Sequence, residues 1–410
     1  MLKVVHITTH QTGGAALASI RLHNALNNNV DSRVLTLDDV EDSQNLYRYT
    51  PIINYQHNTI TSKITKSLLY RFNLGMGRYW RMNDKARKGH ECQYTYPVSP
   101  YRVENHFLIK WADVIHLHMC DDFINYPTFF KKVNKPIVWT LHDIGIGYGG
   151  FHYKIDHDLL LPYFQELEEK FVSIKSDAIS PLDNLTIISL SNEMYDYTKG
   201  ISYLKDKPNY IIPNSVDTEK FIALGKLECR KQLALPPNKK ILLFVSEFVE
   251  TKSKGLELLK EVIASLDLQN ILLCIVGNYP ADMPIKDSIK TLYFGKINDS
   301  YKMSQLYSAA DYLIVPSSQE VCCQTPLESM ACETPVVVFP SGAMKDYVHE
   351  EQGVVCKDCS KQSLKEGLLH ALHTQYDSAS IRKYVSSEFS PSKIAQMYIE
   401  VYKSSLNKES

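Results

Sequence analysis

Two carboxylates eight residues apart, Glu320 and Glu328, bracket the start of an expected helix. An apolar run ends at Pro316, a short polar loop carries Glu320, and Pro326 fits the first turn of a helix beginning near Thr325. A helix start presents free N–H groups and the positive end of its dipole, which suits a phosphate. The glutamates on either side accept hydrogen bonds from hydroxyl groups. A diphosphate with hydroxylated rings on both sides, as in a sugar nucleotide, fits that pattern. His142 and Asp143 stand together at the end of a second apolar run, and Gly13-Gly14 breaks the chain after the first.

Other groups are weaker signals. His116 and His118 alternate with Leu117, so both face one side of a strand, and as a metal pair they lack a third ligand. Asp156-His157-Asp158 reads as a loop. Asp121-Asp122 fits either a helix cap or a place facing a substrate, and both readings stay open. Cys356 and Cys359 form a lone CxxC without a second pair, which reads as ordinary thiols. Nine scattered cysteines suit a reducing compartment better than a disulfide framework.

The elements that must position these residues follow from apolar runs and breaks. Strands are expected at 2–8, 33–37, 114–118, 137–141 and 186–190, with a helix over 15–27 after the glycines. The pattern restarts with strands at 240–246, 271–277, 291–294, 311–316 and 335–339. Helices fit 255–266, 304–310, 325–331 and 363–372. Strand, crossover, strand repetition implies parallel sheets covered on both faces, an α/β class. Two Rossmann-like doubly wound domains are expected, 1–222 and 223–390, joined through the polar run 222–238, with a cleft between them at the strand ends. A last helix over 391–410, with Ile394, Met397, Tyr398, Val401 and Tyr402 on one face, is expected to return to the first domain.

Composition removes several classes. Lys plus Arg total 45 and Asp plus Glu 46, a net charge of -1, so general nucleic-acid binding is not expected. No apolar run approaches the roughly 18–20 residues that span a bilayer, and the first residues do not read as a leader peptide. A cytoplasmic protein is expected. One stretch breaks the balance. Residues 60–90 carry Lys63, Lys66, Arg71, Arg78, Arg81, Lys85, Arg87 and Lys88 against Asp84, interleaved with Leu68, Tyr70, Phe72, Tyr79 and Trp80. Such a segment either lies on an anionic membrane at the inner face of the plasma membrane or caps the domain as a loosely packed insertion.

With these motifs in order, the chain resembles the retaining GT-B glycosyltransferases of family 4, often called glycosyl transferases group 1. Glu320 and Glu328 match the ends of that family's E-x7-E motif. The resemblance implies that Glu320 contacts the donor sugar and Glu328 the ribose, while Cys323, Gln324 and Thr325 offer backbone N–H groups to sugar and diphosphate. Gly13 and Gly14 resemble the glycine loop that closes over the diphosphate, and Thr140-Leu-His142-Asp143 the segment whose histidine lies near the transferred sugar. Gly149-Gly-Phe-His152-Tyr153 resembles a subgroup's Gly-Gly-Cys-His-Tyr run, with Phe151 in place of cysteine. His152, Tyr153 and Asp143 are then acceptor-side candidates. Residues 212–217 look like the pre-linker Pro-Asn-Gly-Val-Asp segment. Lys254 resembles the phosphate-binding lysine. Ser246-Glu247 stands where many members have Gly-Arg, so Lys252 or Lys254 would supply the charge.

The implied activity is transfer of a sugar from a nucleoside diphosphate sugar to a glycan or lipid-linked acceptor, as in bacterial surface polysaccharide synthesis, without metal or other cofactor. His142, Glu320 and Lys254 would carry the chemistry. A sugar-nucleotide epimerase of the same fold and an inactive sugar-nucleotide-binding subunit are the alternatives. A nicotinamide dehydrogenase is disfavoured, because residues 8–15 lack GxGxxG.

Overall fold

The computed structural model describes residues 1–27, 29–40, 45–51, 59–90, 92–266, 270–279 and 289–407. It divides into two units, one of Met1–Ile212 with Ala395–Ser410 and one of Pro213–Ile394.

In the first unit the order is β1 (Lys3–Ile7), α1 (Gly14–Leu26), β2 (Asp31–Thr36), β3 (Leu46–Arg48), α2 (Ile60–Arg71), α3 (Met76–Arg87), α4 (Phe107–Trp111) and β4 (Val114–Leu117). Then come α5 (Tyr126–Lys132), β5 (Ile137–Leu141), α6 (Lys154–Ile179), β6 (Leu185–Ser189), α7 (Asn192–Lys199) and β7 (Asn209–Ile211). All pairs are parallel, in the order β3-β2-β1-β4-β5-β6-β7. The order reverses between β1 and β4, the point where sheets of this kind bind ligands.

The second unit holds α8 (Lys226–Gln232), β8 (Lys240–Phe248), α9 (Leu256–Ser265), β9 (Ile271–Asn278), β10 (Thr291–Tyr293), α10 (Ser300–Ala309) and β11 (Tyr312–Val315). It continues with α11 (Thr325–Ala331), β12 (Val336–Val338), α12 (Met344–Tyr347), β13 (Gly353–Val355), α13 (Lys361–His373) and α14 (Ser378–Glu388). Its sheet, β10-β9-β8-β11-β12-β13, is again parallel, with the switch between β8 and β11. Alternate residues feed two cores. Ile241, Leu243, Leu313 and Val338 pack on one face, and Leu242, Phe244, Ile314 and Val337 on the other. Burial on both faces is why these strands read as unbroken apolar runs.

Three expectations change. The polar run 222–238 is no linker: it carries α8, and its Arg230 is buried, donating to the carbonyls of Ala309, Pro237 and Lys239 and to Asp311. Val216 and Phe221 already belong to the second core, so the join lies at Ile212–Pro213. Asp156-His157-Asp158 is not a loop but the start of α6, where His157 stacks on Tyr148 at 4.2 Å. Residues 60–90 form a helical hairpin, and α3 packs Tyr79 and Ala86 against Phe164 and Phe171 of α6.

The first unit also buries a layer of imidazoles. His6 and His116 are register partners on β1 and β4, and His118 follows on the same face. His6 Nδ1 meets His118 Nε2 at 3.0 Å, and His118 Nδ1 meets His142 Nε2 at 3.0 Å. The last helix, α15 (Pro391–Leu406), closes this layer from Ala395 onward: Tyr402 bonds His116, Tyr398 bonds Thr140 and Ser405 bonds Thr186. Of the expected 391–410 span, residues 408–410 lie outside the described residues.

Burial, with mutual repulsion adding to it for the first three, pushes the pKa values of His6, His116 and His118 well below the usual imidazole range. Burial pushes His142 down to about 4. These four are neutral when folded, whereas the unfolded chain binds protons near pH 6.5. Their contribution is therefore complete above that pH and is lost as pH falls below it, by about 1.4 kcal/mol per histidine per pH unit. The histidines of the second unit, His349, His370 and His373, are exposed. Denaturation at pH 7.5 and 5.5 should show the first unit losing several kcal/mol and the second little. Equal loss in both units would refute this account.

Candidate functional site

In the second unit the chemistry gathers where β8 and β11 end side by side. A short turn after β8 carries Lys252 and Lys254 and leads into Gly255. Gly255 has φ +77°, and a Cβ there would lie 2.3 Å from the carbonyl oxygen of Pro316. Glycine thus lets the turn press against the loop that leaves β11. The consequence is a direct ion pair: Lys254 Nζ donates to Glu320 Oε1 at 2.6 Å. The two residues expected to serve phosphate and sugar separately hold each other. Lys252 is exposed. The Glu320 backbone N–H donates to Ser341 Oγ at 2.8 Å, and Ala343 N to Val321 O at 2.8 Å, so this loop is pinned from the β12 side.

Glu328 lies one turn into α11 and accepts from the Tyr307 hydroxyl at 2.9 Å. Thr325 begins that helix and Gln324 caps it. Cys323 presents its carbonyl to the Tyr347 hydroxyl at 2.7 Å, and its thiol lies 3.4 Å from Thr325 Oγ1. Burial pushes the Cys322 and Cys323 thiols up to about 11 and about 12, so no thiolate faces the expected phosphate at neutral pH. Glu247 accepts from Lys296 Nζ at 3.1 Å.

In the first unit the matching strand ends are those of β1, β4 and β5. Gly13 has φ +90° and opens α1, and a Cβ at Gly13 or Gly14 meets nothing within 4 Å. Gly13 is therefore required by its backbone angle, while the space beside both glycines is open. His142 directly follows β5 and is bonded by His118. Asp143 Oδ2 meets His152 Nδ1 at 2.6 Å and its Oδ1 accepts from Gly145 N at 2.8 Å. Burial opposes charge on both partners, but each stabilises the other: the Asp143 pKa is lowered and the His152 pKa raised. His152 also bonds Thr95, and Tyr153 stands exposed at the start of α6.

Sequence reasoning missed the residues that hold this loop. Glu168 accepts from Gly149 N and Gly150 N, both at 2.7 Å, and Lys175 donates to the carbonyls of Gly145 and Tyr148 at 2.8 and 2.7 Å. Both are buried and lie seven apart, two turns along one face of α6. A helix so rich in charge gives no sign of which charges turn inward. Phe151, in the place of a cysteine, is fully buried against Tyr94 and Phe164. His6 was missed as well. It supplies the third imidazole that His116 and His118 lacked, the three offering ligand atoms within 4.8 Å of one another. Their hydrogen bonds to one another, to Tyr402, to Thr140 and to His142 would have to break before an ion entered. Asp121 and Asp122 cap no helix, since Asn125 precedes α5.

Residues 226–387 match the family model described as Glycosyl transferases group 1. An uncharacterized glycosyltransferase of Methanocaldococcus jannaschii is 25% identical over 314 residues, 71% of this chain and 75% of that protein. Among solved structures, sucrose-phosphate synthase of Thermosynechococcus elongatus matches with a TM-score of 0.67 at 18% identity, covering 100% of both chains. HepE of Anabaena in complex with UDP-glucose matches at 0.62 and 15% identity, covering 98% of this chain and 100% of that one. At such identities these structures show the fold, two Rossmann-like domains of the GT-B class.

Proposed function

Residues 226–387 being a group 1 glycosyltransferase domain, we propose that this glycosyltransferase moves a sugar from a nucleoside diphosphate sugar to a hydroxyl of a glycan or lipid-linked acceptor, with retention at the anomeric carbon. The second unit takes the donor and the first the acceptor. The observation that carries this reading is the Lys254–Glu320 pair at the sheet's switch point, with Glu328 one turn into the next helix. A structure of the same fold contains UDP-glucose.

The pair suggests how binding proceeds. An incoming diphosphate takes over Lys254, with Lys252 alongside, and releases Glu320 to accept from the donor sugar's hydroxyls. Glu328 accepts from the ribose. In the transfer, the bond from the anomeric carbon to the diphosphate oxygen breaks, and a bond to the acceptor oxygen forms on the same face. The acceptor proton passes to an oxygen of the leaving phosphate. Charge developing there would be met by Lys254 and the backbone N–H groups of residues 323–325, preorganised donors of the kind that stabilise such charge. His142, neutral by burial, serves as a hydrogen-bonding group beside the sugar. The scheme calls for no metal.

The setting we infer is bacterial surface polysaccharide synthesis on the cytoplasmic side, with residues 60–90 touching an anionic membrane. No helix among the described residues is long and apolar enough to cross one. Support for surface contact comes from α2, where Ile60, Ile64, Leu68 and Phe72, spaced by four, are all exposed and Lys63 stands beside them.

Two measurements test the reading. With the best-binding sugar nucleotide from a thermal-shift screen, Glu328→Ala should weaken donor binding by about tenfold or more, the loss of a hydrogen bond to a charged acceptor. Unchanged affinity removes Glu328 from the ribose, and complete loss of turnover in EDTA removes the metal-free scheme. Cosedimentation should show the chain on phosphatidylglycerol vesicles but not on phosphatidylcholine. Ile64→Asp with Leu68→Asp should abolish it, and equal binding of wild type to both lipids would overturn the anionic contact.

A further inference from the structure

The first unit holds a cavity of about 600 Å³ whose lining includes Lys66, Arg71, Trp80, Arg87, Tyr101 and Asp122. That is ample for a small ligand, since such sites run from roughly 300 to 1,000 Å³. Neither the cavity nor its lining enters the donor chemistry above.

Three features mark it as built. The first is Asp122. It has φ +61°, a left-handed conformation that residues other than glycine adopt uncommonly, and such conformations concentrate at functional sites. It is kept there by a reciprocal clasp: Asp122 N donates to Tyr96 O at 3.1 Å and Tyr96 N donates to Asp122 Oδ1 at 2.8 Å. Burial, and then the charge of Asp121, push its carboxyl up to about 7, against the pull of the Tyr96 N–H and of His152.

The second is a braced polar wall. The Asn83 amide donates to the Tyr96 hydroxyl at 2.8 Å, Arg87 Nε donates to Asn83 Oδ1 at 2.5 Å, and Arg87 also reaches the Cys92 carbonyl at 2.9 Å. Ordered donors of this kind cost little to bring to a ligand. The third is charge. Lys66, Arg71 and Arg87 face two acids, Asp122 and Asp84, and Asp84 is bonded to the Tyr70 hydroxyl. Among the described residues neither Lys66 nor Arg71 is held in an ion pair.

We propose that this cavity is the acceptor subsite and takes a sugar bearing an anionic group, a phosphate or a carboxylate. Lys66 and Arg71 hold the anion. Trp80, Tyr101 and Tyr70 offer ring faces to the sugar, whose C–H face is apolar. Asp122 accepts from a sugar hydroxyl. Its loop leaves β4, the neighbour of β5, and Asp122 feels the charge of His152, the partner of Asp143. The proposal rests on the reading that the first unit receives the acceptor.

The test is binding without donor, on the full chain, by saturation-transfer NMR and calorimetry, with glucose 1-phosphate, glucuronate and methyl glucoside as probes. At least one charged probe should bind about tenfold or more tighter than methyl glucoside, and which one does so assigns phosphate or carboxylate. Lys66→Ala with Arg71→Ala should erase that advantage, while Lys254→Ala in the second unit leaves it. Asp122→Asn keeps the acceptor for Tyr96 N and tolerates the backbone angle, and should weaken binding of all three probes. Methyl glucoside binding as well as the charged probes, an unmoved double variant, or an advantage lost in Lys254→Ala would each overturn the proposal. Absence of turnover with every sugar nucleotide would instead sink the transfer reading while leaving this binding measurable.

Discussion

In a parallel sheet every strand ends on the same edge, so the loops that leave neighbouring strands are brought together however far apart they lie in the chain. Both units depend on this. Lys254 follows β8 and Glu320 follows β11, sixty-six residues later, yet the strands pair and the side chains meet. In the other unit β1, β4 and β5 deliver Gly13, Asp122, His142 and Asp143 to one edge. Strands buried on both faces cannot themselves host polar chemistry, so it collects where they stop.

The first unit departs from that rule in one place. His6, His116 and His118 lie inside the sheet's own packing layer, and burial of polar groups is costly unless they are hydrogen-bonded. Here His6 bonds His118, His118 bonds His142, and His116 bonds Thr140 and Tyr402 of α15. The last helix is thus the lid of a polar core that ends in the candidate active-site imidazole. The loop after His142 is held in a comparable way, by Glu168 and Lys175 reaching from α6 to backbone atoms. A site that orders a substrate needs such supports, because loops alone are not rigid.

In the second unit charges near the site lie in ion pairs. Lys254 pairs with Glu320 and Glu247 with Lys296. Glu247, where the resemblance leads one to expect an arginine, has Lys296 as its partner.

The sequence alone determined the class of fold, most strand positions and the residues of the E-x7-E segment, because buried strands are continuous apolar runs and the segment's residue types are local. It also marked His142 and Asp143 by their place at a strand end, and His152 by the resemblance of the run 149–153. What only the tertiary structure decided were relations across long chain separations. The Lys254–Glu320 pair, the His6–His118–His142 row, the inward turn of Glu168 and Lys175, and the burial of Arg230 within an apparent linker all depend on strand order and helix facing. A single chain's spacing carries no record of these. The cavity beneath α2 and α3 is the clearest case. Its cations were legible as a basic run, but their gathering around Asp122 arises only when the hairpin folds over the loop that leaves β4.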